Sequence, residues 1–285
     1  MERSSLPLLV RHEFLIRRLH SLSGLVPIGA YMVLHLVTNA SVLSGPGTYQ
    51  GNVYKIYSLG ALLPFIEWGG IFIPILFHAI IGVVIVMGMV PNSSSYPYMS
   101  NWRYMLQRWT GVIAFAFIMW HVFHMRGWFH AEFWFNHVSE PLGGANFRPY
   151  DAASTAGLAL QNLVVVALYA IGILACVYHL ANGIWASGIT WGVWTSPPAQ
   201  SRALTVCAAF GIVLAMVGLG ALWGIHQVGH GEALQEARKF EDRMYEHLVL
   251  NGEVIPNEER RAGPLPVEDG AAGELRAVAP APAGD

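Results

Sequence analysis

Hydrophobic residues along this chain fall in long unbroken runs, not in the one-face or alternating patterns of soluble domains. Five runs, at about 19–43, 63–90, 106–129, 158–188 and 203–226, are each long enough for a helix to cross a bilayer, which takes roughly 20 residues. None alternates, and each far exceeds the roughly ten residues of a barrel strand, which excludes a membrane barrel. Pro27, Pro64 and Pro74 lie in or near these runs; bundle helices tolerate them where neighbours satisfy the freed carbonyls. The pattern predicts an all-α integral membrane protein, a bundle of five transmembrane helices over residues 1–230. A polar tail, 231–285, follows. Within it EALQEARKFEDRMYEHLVL sets Leu234, Ala237, Phe240, Met244 and Leu248 on one side of a short amphipathic helix. Past Gly263 the chain is rich in Ala, Pro, Gly and Glu and is expected to be disordered.

Composition agrees with the pattern. Of 285 residues 54% are hydrophobic and 12% charged, about half the charged share of a soluble domain. The two cysteines, Cys176 and Cys207, both sit in apolar runs. That excludes a disulfide framework, a thiolate-held iron–sulfur cluster and a multi-cysteine zinc site. The apolar run behind Arg3, Arg11, Arg17 and Arg18 is too long for the core of a cleavable signal peptide. With the N-terminus in the cytoplasm, the inner side receives Arg3, Arg11, Arg17, Arg18, Arg103, Arg108 and Arg202, and the outer connections hold Lys55, Arg126 and Arg148. Seven basic residues against three predict N-terminus in and C-terminus out, in the cytoplasmic membrane.

Each of the first four runs carries a histidine in its apolar part: His35, His78, His121 and His179. An ionisable group at that depth is costly and marks function by default. A neutral imidazole can ligate haem iron, which occupies its lone pair without adding charge. Four such ligands suffice for two bis-histidine haems. A rise of about 1.5 Å per residue puts His35 about 26 Å from Arg18 and His121 about 20 Å from Arg108, both in the outer half. His78 and His179, on helices running inward, fall about 18 and 15 Å from the inner ends. The expected pairs are His35 with His121 (outer haem) and His78 with His179 (inner haem). Each inner histidine has a glycine four residues on, Gly82 and Gly183, on the same helix face. There a porphyrin plane can approach the backbone. Ordinary close packing through small residues is the alternative.

The strings RRLHSLSGLVPIG, VLHLV, FHAIIGV, NWRYMLQRWTGVI, WHVFH and YHLANGIWASGITWG, in this order, resemble the membrane cytochrome b subunit of succinate dehydrogenase (succinate:quinone oxidoreductase). The nearest variety is the five-helix, two-haem, single-polypeptide anchor that usually works with menaquinone. The resemblance covers about residues 12 to 226. It implies the same four histidines as axial ligands and the same pairing. It also implies two partners absent from this chain: a flavoprotein subunit with covalent FAD, where succinate is oxidised, and an iron–sulfur subunit on the cytoplasmic face. On this reading the chain passes electrons from the iron–sulfur subunit through two haems b to menaquinone near the outer face, and cannot oxidise succinate alone. A fumarate reductase anchor uses the same parts in reverse. A di-haem cytochrome b of another respiratory dehydrogenase shares the histidine physics but not these strings, and a transporter with a histidine proton relay is a further class.

Other residues are read against simpler roles. Arg17, His20 and Arg108 at the inner interface are candidates to touch haem propionates; plain positive-inside anchoring is the alternative. Glu67, eleven residues before His78, is a candidate proton donor at a quinone site, or else a solvated interfacial glutamate. His124 reads as a helix-end or quinone-pocket residue, His226 and His230 as exposed residues just outside the membrane, and Trp109, Trp185, Trp191 and Trp194 as interface anchors.

Overall fold

The computed structural model describes residues 12–88, 95, 97–129 and 131–263. Arg3 and Arg11, and the disorder expected after Gly263, lie outside the described residues. We number the helices α1 (Glu13–Ser44), α2 (Pro46–Tyr57), α3 (Gly60–Met87), α4 (Met99–Arg126), α5 (Ala152–Ala159), α6 (Leu163–Thr190), α7 (Pro197–Val228) and α8 (Gly231–Leu250).

Local chemistry explains the breaks. Gly127 takes φ +74° and its N–H closes on the Phe123 carbonyl at 2.8 Å, ending α4. The Asn162 side chain accepts the Val164 N–H at 2.8 Å and opens α6. The apolar run expected to begin at 158 is therefore two helices, with Gln161 and Asn162 at the joint. α7 opens on two prolines, whose missing N–H groups cost nothing in a first turn. Inside α1 a widened π-helical stretch, Gly24–Gly29, holds Pro27; a second, Trp68–Phe72, lies in α3 just before Pro74. A proline removes one backbone bond and crowds the carbonyl four residues back, and a wider turn relieves the clash.

α6 packs between α4 and α7, α7 lies along α1, and α3 flanks the first turns of α1. Leu36, Tyr169, Ile173, Val177, Leu214, Leu222 and Ile225 meet in the core. The opposite faces stay uncovered: Leu34, Phe65, Val206 and Ile212 are exposed large hydrophobics. In water such faces would aggregate, and in lipid they are what is required. Among the described residues, α1, α3, α6 and α7 are long and apolar enough to cross a membrane. α4 has the length, 28 residues, but Arg103, Gln107, Arg108, His121, His124 and Arg126 dilute its apolar character.

The two ends of the bundle differ. At one, which we term the basic end, Arg18 lies 5.0 Å from the Trp191 ring and Arg103 4.2 Å from Trp185. At the other, α2, α5 and α8 form a cap. There the buried Gln50 donates to the Pro149 carbonyl at 2.9 Å and accepts the Ala152 N–H at 2.7 Å. Asp151, fully buried, accepts from Arg261 at 3.0 and 3.1 Å and from the Ala262 N–H at 2.7 Å, with Arg238 3.2 Å away. Glu241 on α8 accepts the Ala153 and Ser154 N–H groups at 2.7 and 3.1 Å, at the first turn of α5. The cap also corrects one expectation. His226 is buried, its ring Nδ1 2.8 Å from the Leu160 carbonyl, because the α5–α6 joint folds over it; His230 is exposed.

Candidate functional site

Two histidine pairs sit one above the other inside the bundle. His78 and His179 have ring centres 6.1 Å apart with planes at 89°, nearer the basic end. His35 and His121 are 5.8 Å apart with planes at 73°, nearer the cap. Two imidazoles sharing one metal at roughly 2 Å each hold their ring centres about 6 Å apart. Both pairs match that spacing.

The pair near the basic end is built by a repeated device. The His78 Nδ1–H donates to the His20 carbonyl at 2.9 Å, and the His179 Nδ1–H to the Gln107 carbonyl at 3.0 Å. Four residues past each carbonyl is a glycine that the ring lies against. A Cβ on Gly24 would come within 2.3 Å of His78 Cε1, and one on Gly111 within 2.9 Å of His179 Cε1. Without side chains there, each ring reaches a carbonyl on the flank of the neighbouring helix. Donation from Nδ1 fixes the tautomer and leaves the Nε2 lone pair free. Gln107 Nε2 is also 3.2 Å from His179 Nδ1, but two donors cannot bond each other, and the amide instead donates to the His179 carbonyl at 3.1 Å. Its Oε1 accepts from Asn182 at 2.8 Å. Sequence reasoning missed Gly24, Gly111 and Gln107 because the contacts run between helices.

The pair near the cap is held differently. The His121 Nδ1 lies 3.2 Å from the Tyr169 hydroxyl. His35 departs from the scheme: its Nε2 accepts from Asn39 one turn on, at 3.1 Å. Ligation by His35 requires Asn39 to let go.

The other expected residues scatter. His20 stacks on His78 at 3.9 Å, and its Nδ1 is buried without a partner. Arg108 lies 3.4 Å over the Tyr104 ring with its Nε unpartnered. Arg18 and Arg103 likewise keep buried, unpartnered guanidinium nitrogens. Arg17 is exposed and paired with Glu13 at 2.8 Å. Buried guanidinium nitrogens left over at the basic end fit an anionic group such as a haem carboxylate. Gly82 faces His20, with 3.4 Å to its Cε1 from a would-be Cβ; Gly183 faces Gln107, at 3.5 Å to Nε2. Both leave room beside the rings. Glu67 is gripped by Arg126 through both carboxylate oxygens, Oε2 at 2.7 Å. His124 Nδ1 is 2.8 Å from the Tyr169 hydroxyl.

The residues present therefore fit a bis-histidine haem iron at the basic-end pair, and at the cap-side pair once Asn39 releases His35. No family model matches the chain. The succinate dehydrogenase cytochrome b558 subunit of Bacillus subtilis (strain 168) is 32% identical to it over 215 residues, 74% of this chain and 96% of that protein. Likeness across nearly the whole of that relative, in a chain built of apolar helices, shows that the chain belongs to the cytochrome b subunits of succinate dehydrogenase, multi-pass membrane proteins that act as one part of a larger enzyme.

Proposed function

We propose that the chain is the membrane anchor and electron-transfer subunit of a succinate dehydrogenase, with two haems b. His78 and His179 would hold one in the cytoplasmic half and His35 and His121 the other in the outer half. On this reading α4 is the fifth span, the basic end is cytoplasmic, the cap faces outward, and the membrane is the cytoplasmic one. The observation that carries the proposal is the two tiers of paired imidazoles at 5.8 and 6.1 Å, three of the four held through Nδ1.

Bound there, the haems would supply a one-electron path between an iron–sulfur subunit on the cytoplasmic face and menaquinone near the outer face; succinate itself is oxidised on an FAD-bearing flavoprotein subunit. The chain's own residues do the rest. His20 and Gln107 carbonyls orient the inner ligands. Arg108 and His20, with Arg18 and Arg103, offer donors to propionates. Gly82 and Gly183 leave the porphyrin face uncovered. Glu67 is the quinone-side proton donor. Delivering electrons to the positive outer side is favoured by about 2.3 kcal/mol per charge per 100 mV, which assists a weak acceptor such as menaquinone.

The test is the complex purified from its membrane. Two haems per chain, reduced by succinate and reoxidised by menaquinone, are expected. A complex active with menaquinone but free of haem would overturn the reading.

A further inference from the structure

Tyr169 on α6 sits between two histidines of α4. Its hydroxyl is 3.2 Å from His121 Nδ1 and 2.8 Å from His124 Nδ1, and the residue is 5% exposed. Trp120 walls the group, 5.1 Å from both the Tyr169 and the His124 rings. A hydroxyl has one proton and can give it to only one of the two nitrogens.

We propose that Tyr169 is a positioning residue for the His121 ligand, with His124 as its anchor. The shorter contact takes the hydroxyl proton, so Tyr169 donates to His124. The tyrosine oxygen is then an acceptor toward His121, and His121 must carry its proton on Nδ1. That leaves the lone pair on Nε2, the nitrogen free to bind iron. The opposite arrangement, Tyr169 donating to His121, would put the ring proton on Nε2 and block ligation. The chain His121 Nδ1–H to Tyr169 O–H to His124 Nδ1 thus selects the binding tautomer. It also makes His121 a more electron-rich ligand, since partners of this kind raise ligand basicity. The inner pair uses backbone carbonyls for the same purpose, and those no side-chain substitution removes. The outer ligand alone depends on a replaceable hydroxyl.

The inference rests on the two-haem reading. Tyr169→Phe and His124→Phe are made in the whole complex, and the two haems are followed by redox titration of their visible spectra and by ferric low-spin electron paramagnetic resonance. Both variants are expected to raise the midpoint potential of the outer haem, alter its resonance and weaken its retention by roughly 10- to 100-fold, with the inner haem unchanged. If Tyr169→Phe fails to assemble, His124→Phe carries the test alone. Two unaltered haems in His124→Phe would overturn the inference, as would equal damage to both haems in either variant. Retention of both haems in His121→Ala would instead overturn the ligand assignment beneath it.

Discussion

The interior of the bundle and the cap bury ionisable groups in opposite ways. In the cap the buried Asp151 carboxylate meets its complement within the chain. Asp151 is surrounded by Arg238, Arg261 and the Ala262 N–H, and Arg261 reaches Asp242 as well. In the bundle four imidazoles turn one nitrogen toward the protein, and for three of them the other is left over. The Asp151 cluster is closed by its own residues; the histidine tiers leave nitrogens over for something more.

The largest effects should come from the unfinished region. His179→Ala or His78→Ala should remove one haem and leave the other, halving the haem-to-chain ratio in a pyridine haemochrome assay. Gly24→Ala and Gly111→Ala should do nearly the same without touching a ligand, because each methyl would fall within 3.0 Å of a ligand ring. Two haems at full occupancy in both glycine variants would mean that the rings are not held where the structure has them.

The histidine tiers were legible in the sequence because depth follows from helical rise, and rise needs no tertiary knowledge. Pairing His78 with His179 and His35 with His121 required only distances from basic residues, for the outer pair, and from the inner helix ends, for the inner pair. The glycines behind the inner rings were not legible. Gly24 and Gly111 lie on different helices from the histidines they admit, so no spacing along one helix reports them; Gly82 and Gly183, at i+4 from their histidines, drew attention instead. The apolar side of α8 was visible in its pattern. Its docking was not, since Asp151 and Arg261 are 110 residues apart. α4 reads as a span by length, yet its polar residues, which include a haem-ligand candidate and Arg108, dilute the hydropathy signal that marks the other four.

Within the cap, Asp151→Asn should be the most damaging substitution. It leaves Arg238 and Arg261, both nearly buried, with one carboxylate fewer. Breaking a buried pair from one side costs roughly 3–5 kcal/mol. The expected result is early release of α8, seen as proteolysis within 231–262 at temperatures where the haem spectrum is still intact. Loss of haem ahead of tail cleavage would show that cap and bundle do not come apart separately.

A subtler test uses pH. Burial, opposed by bonds from Ser154 and Ala153 and helped by the nearby Asp151 charge, pushes the Glu241 carboxyl up from 4.5 to about 7. Between those values the folded cap holds a proton that the unfolded chain has released. Its stability should therefore fall as pH rises from about 4.5 to 7 and level off above, by at most about 3 kcal/mol. Glu241→Gln should flatten this slope in thermal melts of the cap. An unchanged slope would assign the pH response to another group.

The smallest effect separates the two kinds of glycine in the bundle. Gly82 and Gly183 have their nearest neighbours at 3.4 and 3.5 Å from a would-be Cβ, ordinary contact distance. A methyl there disturbs neither His78 nor His179 and meets only what lies flat beside them. Gly82→Ala and Gly183→Ala should therefore keep both haems and shift only the absorbance maximum or midpoint potential of the inner one. If they expel the inner haem as completely as Gly24→Ala does, the porphyrin lies tighter on these helices than the protein atoms alone indicate. If they change nothing about the inner haem, the small residues serve helix packing, and the plane lies elsewhere.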